Sequence, residues 1–181
     1  MNPNIARPGT DEYGSYYADY VGRVPEGDIL ALLAGQHDEL ARLLRGVGDE
    51  QAGTSVAPGE WTLKEIIGHL GDAERLFSFR AVCFSRGERA PLPGFDQDDY
   101  VREADFGARP LADLLEELAL LRRANLLAFH SLTTAASQRR GIASGVEVSV
   151  RALIYILAGH FNYHLADLSE KYLPMLKKAH G

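Results

Sequence analysis

The stretch 149-SVRALIYILAGHFNYHLADLSEKY-172 restricts the fold of this chain more than any other. Leu153, Leu157, His160, His164 and Leu168 recur at three- and four-residue spacing. A helix turns once every 3.6 residues, so that spacing gathers them on one face. Ser149 is placed to cap the helix, and Pro174 is expected to stop it. A buried face with two imidazoles one turn apart carries half of a metal site, because both rings point the same way.

Three further stretches show the same periodicity. Residues 26–47 carry Ile29, Leu32, Leu33, Leu40, Leu43, Leu44 and Val47, a stripe that Gln36 interrupts. His37, one position off that stripe, is expected in solvent. In 61-WTLKEIIGHLGDAERLFSFR-80 the line runs through Ile66, His69, Ala73, Leu76 and Phe77. Thr62 and Glu65 have capping-box spacing at its start, and Gly87 marks its end. The third stretch opens at Pro110 and carries Leu111, Leu114, Leu118, Leu121, Asn125 and Phe129. Four amphipathic helices without a convincing strand run predict an all-α, antiparallel four-helix bundle. Residues 88–109 form a long connection between its second and third helices, and 137–148 a turn or short hairpin. Residues 1–24 read as an arm that lays Tyr13, Tyr16, Tyr17 and Tyr20 on the bundle, and 175–181 as a tail.

At 181 residues the expectation is a single domain with a real core. The net charge of −6 argues against nucleic acid as a partner, since phosphate binding needs a basic surface. No apolar run approaches the ~18 residues of a membrane span. The first residues lack an apolar signal core, and Cys83 is the single cysteine. Both features lead to the expectation of a cytoplasmic protein without disulfides.

His69 on the second helix and the pair His160 and His164 on the fourth are the candidate site. A histidine on an apolar stripe is more often a hydrogen-bonded core residue than a ligand. Three of them in one leucine-rich core have a shared explanation, because one divalent cation satisfies three imidazoles at once. Three protein ligands leave a position open, as in catalytic zinc sites. Nickel, iron and manganese suit the same donors. Phe161 stands where a zinc protease with the H-E-x-x-H pattern has its glutamate, which excludes that class. Glu65, Asp72 and Asp167 are spaced to orient the imidazoles, or else are caps and exposed charges. Cys83 reads as packing, and His130 as a residue that could face the site's mouth. The pairs at 102, 122 and 139 read as solvated faces, whereas Arg80 could reach toward the cavity. His180 falls in the tail.

The phrases 61-WTLKEIIGHLGDAERLFSFR-80, 91-PLPGFDQDDY-100 and 149-SVRALIYILAGHFNYH-164, with 16-YYADYVGRVPEGDILALLAGQ-36, resemble the DinB-like (YfiT-related) superfamily over nearly the whole chain. The resemblance implies a four-helix bundle and a divalent metal on His69, His160 and His164. It implies a homodimer and a small-molecule substrate. The activity implied is that of a metal-dependent enzyme of hydrolase or thiol-transferase type, the latter with a low-molecular-weight thiol as co-substrate. A metal-binding protein of the stress response without catalysis is the other reading. Some relatives carry a further histidine directly before the last ligand, where this chain has Tyr163.

Overall fold

The structure is a computed structural model that describes residues 5–178, the side chains of 176–178 excepted. His180 therefore lies outside the described residues. Four long helices dominate: α1 (Ile29–Leu43), α2 (Leu63–Ser85), α3 (Leu111–His130) and α4 (Val150–Asp167). They form the four-helix bundle expected from the sequence.

Local chemistry accounts for where each helix begins. Asp28 caps α1 by accepting from the Leu30 and Ala31 amides at 2.9 and 3.3 Å. At α2 the capping box closes as the spacing predicts. Glu65 N–H donates to Thr62 Oγ1 at 3.2 Å, and Thr62 N–H donates to the Glu65 carboxylate at 2.7 Å. Ser149 caps α4 through the Ala152 amide at 3.0 Å. Pro110 precedes α3 without a side-chain cap. Asp49, the first residue of a short helix at Asp49–Ala52, supplies one, taking Leu111 N–H on one oxygen and Lys64 Nζ on the other, both at 2.7 Å.

Contacts along the helices fix their directions. Leu30 and Leu33 of α1 share a core cluster with Phe129, whereas Leu40 and Leu44 share another with Leu111 and Leu114. Hence α1 runs antiparallel to α3. Tyr172 donates to the Trp61 carbonyl below α2, and Arg139 reaches the Ser85 carbonyl at its far end, so α2 and α4 are antiparallel as well. Lys64 at the start of α2 reaches the Gly107 carbonyl, and Glu74 ten residues on meets Arg122 and Asn125. The α2–α3 pair therefore runs in one direction. Only a long crossover can join such neighbours, and residues 86–110 are that crossover.

The segment between α3 and α4 is the short hairpin anticipated there, β1 (Arg140–Ala143) paired antiparallel with β2 (Val146–Ser149). The crossover is pinned to it, with Leu92 N–H donating to the Ile142 carbonyl at 2.8 Å and Ser144 N–H to the Leu92 carbonyl at 3.1 Å. Pro174 does not end the last helix. The α-helical run stops at Asp167, relaxes into a π-helical turn at Leu168–Tyr172 and resumes at Leu173–Lys178. Pro174 thus lies just beyond the π-helical turn and inside the continuing helix, not at its end.

The apolar core is divided. One cluster spans Ile29, Leu30, Leu33, Phe77, Phe84, Phe129 and residues 152–158, the other Leu40, Ile66, Leu70, Leu114, Leu118, Phe161 and Leu165. Between them each bundle helix contributes buried polar groups at one level: Gln36 from α1, His69 and Glu74 from α2, Arg122 from α3, His160 and His164 from α4.

Candidate metal centre

Antiparallel packing of α2 on α4 brings His69 opposite His160 and His164. His69 Nε2 lies 3.0 Å from His160 Nε2, which lies 3.2 Å from His164 Nε2. All three rings are buried, and one ligand atom from each lies within 4.8 Å of the others. Among the described residues this is the one His/Cys/Asp/Glu cluster of three or more so disposed.

Hydrogen bonding alone does not explain the arrangement. If His69 and His164 both donated to His160 Nε2, a single in-plane lone pair would accept twice. The proton of His160 would then sit on Nδ1, which is buried without a partner, as is Nδ1 of His164. Three ring nitrogens directed at one central cation remove that conflict. Tetrahedral zinc–imidazole bonds of about 2.05 Å place neighbouring nitrogens about 3.3 Å apart, close to the separations seen. Burial holds the His69 imidazole down to about 4 and His164 to about 3; His160 is pushed well below its ordinary value by burial and by its two neighbours. The rings are neutral at physiological pH, and a neutral ring is the form that ligates.

The carboxylates spaced to orient these rings do other work. Glu65 closes the α2 cap, Asp72 lies 3.8 Å from Arg75, and Asp167 pairs with Lys171 at 2.5 Å. Aromatic rings pack on the imidazoles instead. Trp61 packs on His69 with ring centres 4.9 Å apart, Tyr20 on His160 at 5.3 Å and Tyr163 on His164 at 5.1 Å. Two of these come from segments outside the bundle helices.

The N-terminal arm folds as 3₁₀ turns at Thr10–Glu12 and Ser15–Tyr17 and a short helix, Ala18–Gly22. It does lay tyrosines on the bundle. The approach depends on Gly159, because a Cβ there would overlap the Tyr20 carbonyl. Helix periodicity does not mark Gly159 as a contact point. Its signal was a glycine inside a strong helix, a placement that costs about 1 kcal/mol against alanine and calls for a reason.

Cavities lie on either side of Tyr16 and Tyr20. One, of about 370 Å³, is lined by His69, His160, Ala73, Phe77, Tyr17 and Ser144 with Phe95–Asp98 of the crossover. The other, of about 420 Å³, is lined by His164, Trp61, Tyr163, Asp167 and Lys171, and again by Gln97 and Asp98. The crossover therefore walls the site as well as joining α2 to α3.

Other residues stand elsewhere. Cys83 packs half-buried against the core. His130 is exposed and lines neither cavity. His37 is half-buried rather than solvated, with Nδ1 enclosed and unpartnered; burial, with Arg122 nearby, lowers its pKa. Arg122 is not part of a solvated pair. It is 3% exposed and bonds Glu74, itself fully buried, at 2.9–3.0 Å. Its other nitrogen donates to the Leu33 carbonyl at 2.7 Å and to Gln36 at 2.9 Å. Gln36 faces inward as its place in the stripe suggested, and donates to Ala158 O and Asn162 Oδ1.

The sequence pattern of the DinB superfamily matches residues 32–168. This chain belongs to the DinB superfamily. Among curated relatives, a protein of Geobacillus thermodenitrificans named "Putative metal-dependent hydrolase" is 28% identical over 130 residues, 70% of each chain. A Geobacillus kaustophilus protein of the same name is 24% identical over 142 residues, 77% of this chain and 80% of its own. The solved structure of YfiT from Bacillus subtilis superposes with a TM-score of 0.72 at 16% identity, covering 86% of this chain and 89% of that one. It is described as having an unusual four-helix bundle topology, and the crossover between parallel α2 and α3 gives the DinB chain its own departure from up-down order. Among the described residues no helix is long and apolar enough to cross a membrane.

Proposed function

We propose that this DinB-superfamily chain is a metal-dependent hydrolase acting on a small electrophilic molecule, with one divalent cation held by His69, His160 and His164. The convergence of three buried, neutral imidazoles carries the reading. The names of the Geobacillus relatives support it. A divalent cation with a free position lowers the pKa of water or of a thiol there, and so supplies a nucleophile at neutral pH. The residues of the chain do the rest. Trp61, Phe77 and Tyr20 exclude bulk water around the imidazoles, which strengthens electrostatic interactions inside. Ala73, small between His69 and Phe77, leaves room for substrate beside the rings. Asp98 and Gln97 reach both cavities from the crossover, where the carboxylate can take up a proton released to the rim.

A homodimer belongs to the same proposal. Phe79, Leu120 and Leu127 are 58%, 59% and 71% exposed on the outer faces of α2 and α3, and burial of such a surface favours association.

Elemental analysis of the purified protein, beside His160→Ala, tests the site: one zinc, nickel, iron or manganese ion per chain is expected, and the variant should lose it. Activated esters and amides, with and without an added low-molecular-weight thiol, test the reaction. Turnover in water alone supports hydrolysis, and turnover only with thiol reassigns the chain to thiol transfer. A metal-loaded protein inert under both conditions overturns the enzymatic reading.

A further inference from the structure

Every other deeply buried charge described here has a counter-ion. Glu74 holds Arg122, Asp49 holds Lys64, and Glu12 is held by Arg151. Arg80 differs. It is 3% exposed, yet no carboxylate lies within ion-pair distance among the described residues. Its Nη2 donates to two neutral oxygens, the Pro93 carbonyl at 2.7 Å and Ser144 Oγ at 3.1 Å. The guanidinium lies over the Phe77 and Phe95 rings, 5.8 and 5.9 Å from their centres, and the Tyr17 hydroxyl is its neighbour. A guanidinium cannot shed its proton to escape burial, so an uncompensated one is costly.

The place of Arg80 gives that cost a purpose. Ser144, Tyr17, Phe77 and Phe95 all line the cavity that ends at His69 and His160. On α2, Arg80 follows His69 by 11 residues, or three turns, and so lies on the same face. The cavity thus runs from the imidazoles past Ala73 and Phe77 to two hydroxyls backed by a buried positive charge. Ser144 is held there by the tight hairpin turn, at φ 54°, a left-handed conformation unusual for a residue with a side chain. Ser144 Oγ accepts from Arg80, so its own proton is left to be donated, and the Tyr17 hydroxyl is its hydrogen-bonding neighbour.

We propose that this cavity binds a small organic carboxylate, its anionic end on the hydroxyls of Ser144 and Tyr17 with the charge of Arg80 behind them. Its uncharged body lies along Phe77 and Phe95, and its reacting end faces the histidines. This rests on the functional reading above and names the substrate class for it. Asp96 and Asp98 stand exposed among the lining residues and repel a second negative charge. A monoanionic carboxylate is therefore favoured over a dianionic phosphate monoester.

Calorimetric titration of the protein as purified, with phenylacetate, phenylacetamide and phenyl phosphate, is the test. Phenylacetate should bind at least tenfold more tightly than its amide and than phenyl phosphate. Arg80→Gln should abolish that preference without changing the metal content, Arg80→Lys should restore part of it, and Ser144→Ala and Tyr17→Phe should each reduce it. Equal affinity for acid and amide overturns the proposal, as does a preference that survives Arg80→Gln. A preference lost in His160→Ala but kept in Arg80→Gln puts the carboxylate on the metal and also overturns it. If Arg80→Gln fails to fold, Ser144→Ala decides: a reduced preference supports the proposal and an unchanged one overturns it. The amide control and the metal content are read separately, so failure here leaves the metal site standing.

Discussion

Arg122 and Glu74 illustrate how one residue can redirect the reading of a helix. The apolar stripe of α3 reads naturally through Leu121, the more hydrophobic of two adjacent candidates. The structure runs it through Leu118, Arg122 and Phe129, and Leu121 is only half-buried. Hydrophobicity could not choose correctly because Arg122 is buried by its partners on other helices: Glu74, Gln36 and the face of Phe161, whose centre lies 4.8 Å from the guanidinium. Removing one member strands the other. Arg122→Met alone should cost about 3–5 kcal/mol, since Glu74 then remains as an unpaired buried charge. The double variant Glu74→Leu, Arg122→Met should recover most of that loss. Urea denaturation of the two single variants and the double one measures the coupling directly. A double variant no more stable than Arg122→Met would show that the pair's value lies in its links to Leu33 and Gln36.

At the scale of elements, what was legible is what is local. The four long helices, the Thr62–Glu65 box, the Ser149 cap and the hairpin before α4 follow from spacing and short-range hydrogen bonds. Replacing Thr62 by alanine should therefore behave as a simple cap loss of about 1 kcal/mol, read as a lowered denaturation midpoint with an unchanged slope. Elements set by long-range packing were not legible. The shared direction of α2 and α3 depends on how the crossover docks on the hairpin. The continuation through Pro174 depends on a π-helical turn that periodicity does not signal. The closeness of Ala18–Gly22 to α4 depends on Gly159, where no side chain intervenes. In Gly159→Ala the new methyl meets the Tyr20 backbone, so better intrinsic helix propensity is outweighed by overpacking. A net loss of about 1–3 kcal/mol is expected, together with faster amide exchange across 18–22. Stabilisation by this substitution would mean that the arm does not rest on α4 as described.

Across the whole molecule, the buried polar groups form one layer between two apolar halves, and the N-terminal arm closes the side where the cavities open. The sequence disclosed the histidines of that layer because their type and spacing have few other uses. It hid Glu74 and Arg122, and it hid the arm's anchor, Glu12, because a lone acid near a terminus reads as solvated. Glu12 is 4% exposed, and it takes Arg151 Nε at 2.7 Å and the Gly9 amide at 2.8 Å. Burial acts to raise its pKa, but the hydrogen bonds from Arg151, Gly9 and Ser149 prevail and hold it at about 2, against an ordinary 4.5. A carboxyl whose pKa is depressed on folding stabilises above its unfolded value, and that stabilisation is lost as pH falls toward the folded value. The contribution of Glu12 is thus complete above about pH 4.5 and fades between there and pH 2. Glu12→Gln should cost about 1–2 kcal/mol at pH 7, after allowance for solvent screening, and much less at pH 2.5. Paired urea titrations at the two pH values measure this, and the difference between the proteins isolates Glu12 from other carboxylates that titrate with it. Because the tether holds the segment bearing Tyr16, Tyr17 and Tyr20, the same variant should leave the bundle helices intact at pH 7 while increasing amide exchange in residues 10–22. A uniform loss of protection through α2 and α4 would instead mean that arm and bundle unfold as one unit.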